Sequence, residues 1–324
     1  MDAGPCMGFK AAGVHAGLKK NGEPDLGLIF SETPAAVAAV FTRNQIQAAP
    51  VVLDRQRVAS GRSRAIIVNS GNANCCTGES GMRAAARMGA AAARALGLAD
   101  EDVLVASTGV IGQPLPVAKI EAAAPTLVEK LTPDGFPELA RAIMTTDTEP
   151  KAVFRTGRVG ERPYHIAAVA KGAGMIRPDM ATMLCFICTD ADLPRADLDQ
   201  ALRRAVDASF NRITIDGDTS TNDTVILMAN GASGTKLHAA ADQDRFAALL
   251  EDALLELARW IVRDGEGVTK TVEIRVRGAR TSDDARRVAD TIAHSPLVKT
   301  AFFGQDANWG RILAAAGRAG VTLD

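Results

Sequence analysis

The stretch that leaves this chain least freedom is KGAGMIRPDMATMLCFIC, Lys171 to Cys188. Gly172 and Gly174 bring backbone conformations closed to other residues, while Pro178 fixes its own φ and pushes Arg177 towards extended geometry. The residues that follow, Thr182 to Thr189, are almost wholly apolar and rich in β-formers, the pattern of a strand buried on both faces. A shaped loop therefore feeds a central strand, with Ala181-Thr182 at the junction. On spacing alone, the Thr182 hydroxyl is either tied to nearby backbone, as in any strand-starting threonine, or presented as a nucleophile.

The rest of the core must be built from small and aliphatic side chains, because 47% of the 324 residues are hydrophobic but only 4% are aromatic. Elements pack closely in such a core, and the length suits two domains or one large α/β unit. A formal net charge of -1 with mixed signs provides neither a basic stripe for nucleic acid nor a polybasic membrane anchor. The start, MDAGPCMGFKAAG, lacks the basic flank and apolar run of a signal peptide, and no apolar stretch approaches spanning length, so a soluble cytoplasmic protein is expected. Five cysteines, an odd number without scaffold spacing, fit a reducing compartment. Cys185 and Cys188 form a CxxC, but on a strand they point to opposite faces and read as core residues. His15, His165, His238 and His294 lie in no ligand spacing, so no metal and no cofactor is expected.

Short runs bounded by Gly, Pro and polar turns predict strands at Lys10–Gly17, Asp25–Ser31, Ala36–Thr42, Arg64–Asn69, Asp102–Ala106, Tyr164–Ala170, Thr224–Ala229 and Lys270–Arg277. Helical spacing predicts helices at Met82–Leu98, from near Pro116, at Phe136–Met144, Pro194–Phe210, Asp242–Asp264 and Ser282–Ala293. Gln45–Val58 reads as a loop into a short helix. Strands and helices alternate irregularly, without linker or repeat, which predicts an α+β layered sandwich. Ser107 to Gly112 reads as a turn after its strand, Thr145 to Thr148 as a helix end, and Glu266 as a turn residue between glycines. TIDGDTSTN fails as a calcium loop, since Thr221 stands where glycine is required and Leu227 where a bidentate glutamate is required.

KGAGMIRPDMATML resembles, without a gap, the self-cleavage site of the ornithine acetyltransferase family, bifunctional glutamate N-acetyltransferases of arginine biosynthesis. NSGNANCCTGE, DGDTSTND, DGEGVTK and HSPLVKTAFFGQDANWGRILAAAGRAG resemble further family segments. The resemblance implies a layered α/β/β/α-type fold of the self-processing N-terminal-threonine acetyltransferase kind. Cleavage between Ala181 and Thr182 would give an α chain, 1–181, and a β chain, 182–324, assembled as an α2β2 heterotetramer. Thr182 would be the nucleophile, with Thr108 (hydroxyl) and Gly109 (backbone N–H) as the oxyanion hole. Thr145, Thr146, Lys171, Thr182 and Glu266 would contact substrate, Lys171 meeting an α-carboxylate and Glu266 the cationic side chain of ornithine.

The implied reaction moves acetyl from N2-acetylornithine to glutamate through an acetyl-Thr182 intermediate, with use of acetyl-CoA left open. Once freed, the Thr182 α-amine, with a reference pKa of about 7.7 to 8.0, is a base beside the hydroxyl. An N-terminal-threonine amidohydrolase or aminopeptidase, with water replacing glutamate, is the rival enzyme. Family members also carry a C-terminal asparagine and a serine or threonine at the substrate site, and these have no counterpart before Asp324. The expectation is self-cleavage with a raised KM, or an inactive truncated fragment.

Overall fold

The structure, a computed structural model, describes residues 6–177 and 183–323. The Ala181-Thr182 pair accordingly lies outside the described residues. In chain order the elements are β1 (Phe9–Val14), β2 (Leu26–Phe41), α1 (Ala49–Arg57), β3 (Arg62–Asn72), α2 (Gly78–Leu96), β4 (Val103–Val110), α3 (Val117–Glu129), α4 (Phe136–Ala142), β5 (Lys151–Val159), β6 (Arg162–Lys171), β7 (Leu184–Thr189), α5 (Arg195–Ala208), β8 (Thr224–Ala229), α6 (Ala240–Arg263), α7 (Ser282–Ala293), α8 (Pro296–Phe303) and α9 (Trp309–Gly317).

One mixed sheet runs β4-β3-β2-β8-β7-β6-β5, with β1 paired to β2. The pairs β3–β4 and β7–β8 are parallel and the rest antiparallel. Two strands were expected at 25–31 and 36–42, but β2 is a single strand of 16 residues whose register against β3 shifts between Phe30 and Ala35. Pro34 sits inside that irregularity, the kind of place where a strand tolerates a residue without an N–H. Along one edge, β2 pairs first with β1 through Leu26–Ser31 and then with β8 through Ala36–Phe41.

Period-2 alternation shows how the sheet is layered. Ile66 and Val68 of β3, and Leu104 and Ala106 of β4, share one core with Leu184, Phe186 and Cys188 of β7 and Ile226 and Met228 of β8. The sheet is therefore folded over on itself, its two halves facing across this core. Ala65, Ile67, Val103 and Val105 point outwards against α2 and α3. Cys185, Ile187, Val225 and Leu227 point outwards on the other half, against α5 and α6. The α/β/β/α order follows, and Cys185 and Cys188 face opposite sides as the pattern predicts. Fully burying each Ile, Leu or Phe of the middle layer contributes about 1.5–3 kcal/mol, so the two halves hold together by apolar burial.

Helix α5 buries Leu198, Ala201, Leu202, Ala205 and Val206, the predicted face. Helix α6 buries Phe246, Leu250, Leu254, Leu257 and Ile261. Strand β4 continues through Val110, so Thr108 and Gly109 end a strand rather than occupying a loop. Residues 270–277 form no strand. Their alternation is satisfied instead by Ile274 and Val276 packing in a small cluster with α7 and α9, since no described strand pairs with them. Among the described residues, no helix is long and apolar enough to cross a membrane.

Candidate active site

Lys171, the last residue of β6, is 3% exposed and draws three candidates together. Its Nζ donates to Thr145 Oγ1 at 2.7 Å and to Thr108 Oγ1 at 3.4 Å, and lies 3.9 Å from Asp147 Oδ2. Burial lowers the Lys171 pKa from its ordinary value; Asp147, Asp223 and Glu266 push it back up, and Lys151 adds to the lowering. Because Lys171 supplies the proton in its contact with Thr108, the Thr108 hydroxyl keeps its own proton for a further acceptor. That is the arrangement an oxyanion donor needs.

Gly109, beside Thr108, has φ +132°, and a Cβ there would stand 2.4 Å from Gly71 C and 2.5 Å from Asn72 N. Only glycine allows β4 this close to β3. The approach is held by buried amides: Asn222 Nδ2 donates to Ser107 O at 2.8 Å and to Ala73 O at 2.7 Å, while Ser107 Oγ donates to Asn69 Oδ1 at 2.6 Å. The DGDTSTND segment, which has no role in the sequence analysis, thus anchors the end of β4 that presents Thr108.

A second buried lysine ties the segments around Lys171 together. Lys151 Nζ donates to Asp147 Oδ1 at 2.8 Å and to Asp264 Oδ2 at 2.5 Å, and the Lys151 side chain is 0% exposed. Asp147 also accepts from Gly172 N at 2.6 Å and Thr145 N at 3.0 Å, and Asp264 accepts from Thr148 N at 3.0 Å and from its hydroxyl. Burial acts to raise the Asp147 carboxyl, but Lys171 and Lys151 outweigh it and hold the pKa below the ordinary value. Asp264 is lowered in the same way, Lys151 and Thr148 overcoming burial. One lysine therefore fixes the TTDT segment, the start of the glycine turn and the end of α6 relative to one another.

Replacing Lys151 with methionine keeps most of the volume but removes the ammonium that pairs with Asp264 and leaves Asp147 with Lys171 alone, 3.9 Å away. Breaking a buried ion pair on one side costs about 3–5 kcal/mol. Urea unfolding of Lys151→Met should show a loss of that size, and a loss below about 1 kcal/mol would mean that the cluster is not held by charge.

Glu266 follows α6 and is exposed. Its N–H donates to Ala173 O at 2.7 Å, and its carboxylate lies over Gly174, where a Cβ would come 2.5 Å from Oε1. The glycine turn and the acidic residue are thus matched in shape, leaving an exposed carboxylate over Gly174 whose charge acts on the Lys171 ammonium. Thr146 is exposed and joins none of these hydrogen bonds. Past the Ala181-Thr182 pair the described chain resumes at Met183, whose N–H donates to Asp223 Oδ1 at 3.0 Å. Among the described residues, no group of three or more His, Cys, Asp or Glu is placed to hold a metal ion.

Sequence reasoning brought Thr108, Thr145 and Lys171 to one place, with Gly109 and Glu266 beside them. It missed Asp147, Lys151, Asp264, Asn222 and Asp223. The available signal was chemical: Lys151 opens an apolar strand and Asp223 precedes another, and a charge so placed is seldom buried without a partner.

A folded-over mixed sheet, with helices on both outer faces and a buried lysine–threonine cluster at its strand ends, defines an enzyme of the layered α+β class. The chain belongs to the ArgJ family, whose sequence profile matches residues 10–324. It is 54% identical over 319 residues to the arginine biosynthesis bifunctional protein ArgJ of Geobacter sulfurreducens, covering 98% of this chain and 81% of the relative. Its identity to the protein of the same name from Syntrophotalea carbinolica is 53% over 320 residues, with 98% and 81% covered. The crystal structure of arginine biosynthesis bifunctional protein ArgJ from Bacillus halodurans is similar with a TM-score of 0.52 at 39% identity, covering 56% of this chain and 96% of that one.

Proposed function

We propose that the chain is a self-processing acyltransferase that moves acetyl from N2-acetylornithine to glutamate through an ester on Thr182, in arginine biosynthesis. Self-cleavage between Ala181 and Thr182 would yield chains 1–181 and 182–324, working in the cytoplasm as an α2β2 heterotetramer. The observation that carries this reading is the Lys171–Thr145–Thr108 network, built at the strand ends beside Met183.

In the first step Thr182 Oγ attacks the Ala181 carbonyl and the C–N bond breaks as the hydroxyl proton passes to the nitrogen, leaving an ester and a free α-amine; water then hydrolyses the ester to the Ala181 carboxylate and the Thr182 hydroxyl. In transfer, that amine takes the hydroxyl proton while Oγ attacks the acetyl carbonyl of the donor. Thr108 Oγ1–H and Gly109 N–H receive the charge on the tetrahedral oxygen. Lys171 meets the α-carboxylate of either amino acid, with Thr145 holding the ammonium in place, and Thr146 lies at the edge of the same cleft. Glu266 recognises the cationic side chain of ornithine. Ornithine leaves with the proton from the α-amine, and glutamate repeats the attack in the reverse sense. Acetyl-CoA would load the same ester if the cleft admits it.

The test is consumption of N2-acetylornithine with and without glutamate. Stoichiometric N-acetylglutamate and ornithine, formed only when both substrates are present, is the expected result. Release of acetate at the same rate without glutamate would make water the acceptor and the chain a hydrolase.

A further inference from the structure

Cys75 and Cys76 lie in the loop that leads from β3 into α2. Successive side chains of an extended chain point to opposite sides, yet these two thiols stand Sγ to Sγ at 3.6 Å. The backbone brings them together: Asn74 has φ +48° and Cys76 φ +58°, a left-handed conformation uncommon for residues other than glycine. Asn74 is fixed in it, its N–H donating to Asn72 Oδ1 at 2.8 Å and its Nδ2 to Gly81 O at 3.0 Å. The two thiols differ in access. Cys75 is buried, and burial pushes its thiol up, the Cys76 thiol adding to the rise and the Thr221 hydroxyl opposing it. Cys76 is open to solvent, whereas Cys6, Cys185 and Cys188 are buried like Cys75.

This loop is bonded to the end of β4. Ala73 N donates to Val110 O at 3.0 Å, and Gly112 N donates to Cys75 O at 3.0 Å. Cys75 therefore holds the chain just past Thr108 and Gly109. Adjacent Cα atoms across a trans peptide are about 3.8 Å apart, closer than the roughly 4.4 Å or more that a relaxed disulfide spans, and the sulfurs must approach to about 2 Å. The Cys75–Cys76 peptide has to turn to allow that. Because this peptide carries the Cys75 carbonyl, closing the disulfide pulls Cys75 O away from the Gly112 N–H.

We propose that Cys75 and Cys76 form a reversible dithiol–disulfide couple whose closure loosens the end of β4. The oxidant is a low-molecular-weight disulfide. The Cys76 thiolate attacks one of its sulfurs, releasing one small thiol and leaving a mixed disulfide. Cys75 then loses its proton to water, and its sulfur attacks Cys76 Sγ and expels the second small thiol. Two thiols of the chain are oxidised as one small disulfide is reduced to two thiols. The ring so formed is strained, so excess thiol reopens it readily. The effect of closure on acetyl transfer rests on the reading of Thr108 and Gly109 as the oxyanion hole; the closure itself does not.

The test treats purified wild type and Cys76→Ser with oxidised glutathione and then with dithiothreitol, and follows peptide mass, hydrogen exchange over residues 107–112 and kcat for acetyl transfer. In wild type the peptide carrying both cysteines should lose the mass of two hydrogens, and exchange at 107–112 should rise by about tenfold or more, both reverting with dithiothreitol. Cys76→Ser, changed only at an exposed side chain, should show neither effect. Absence of reaction in wild type, or a glutathione adduct that persists on Cys76, overturns the proposal, as does a closed disulfide with exchange at 107–112 unchanged. With closure, kcat should fall by about tenfold or more. A closed disulfide with faster exchange but an unchanged kcat upholds the couple and contradicts the oxyanion reading of Thr108 and Gly109 instead.

Discussion

Thr108→Ala is expected to lower kcat for acetyl transfer by about 100- to 1000-fold, the usual cost of one oxyanion donor, and to leave KM within a few-fold. The split follows from when the hydrogen bond is made. Lys171 already satisfies the Thr108 oxygen in the resting protein at 3.4 Å, so the hydroxyl proton finds its full partner only as charge develops on the attacked carbonyl. Alanine also leaves the Lys171 ammonium with one acceptor fewer in a buried site, but Thr145 at 2.7 Å and Asp147 at 3.9 Å remain. Steady-state kinetics with both substrates would check this. A raised KM with kcat intact would make Thr108 a binding residue and move the oxyanion site elsewhere.

Thr182→Ala is expected to have a larger effect, because on the proposed mechanism it removes both activities at once. Without Oγ there is no attack on the Ala181 carbonyl, so the chain stays whole, and without a cut there is neither nucleophile nor free α-amine for transfer. The expected product is a folded, uncut chain with no detectable N-acetylglutamate formation. Transfer by such a chain would assign the nucleophile to another residue, and cutting by it would assign the cleavage to another group or to an external protease.

The alternation rules were enough to read most strands and helices, because β3, β4, β6, β7 and β8 are apolar strands between polar turns and α5 and α6 carry regular apolar faces. The folding-over of the sheet was not legible. It depends on β2 passing through SETP as one strand, where proline and polar residues look like a break. Local pattern also misjudged 270–277, whose alternation suits a strand but is met by packing on helices.

At the candidate site, motif resemblance pointed to Thr108, Gly109, Thr145, Lys171 and Glu266, but the groups packed around them were hidden by distance along the chain. Lys151 and Asp264 are 113 residues apart and become one cluster only when β5 and α6 meet. Asp223 was invisible for a different reason: what singles it out is its full burial before β8 with the Met183 N–H on one oxygen, a property of packing that no spacing encodes.

The most direct test of the account is the intact mass of the purified wild-type chain. Two pieces, residues 1–181 and 182–324, present in equal amounts and absent from Thr182→Ala, are the predicted result. A single full-length chain that still transfers acetyl from N2-acetylornithine to glutamate would contradict the account, because the freed α-amine could then not be the base.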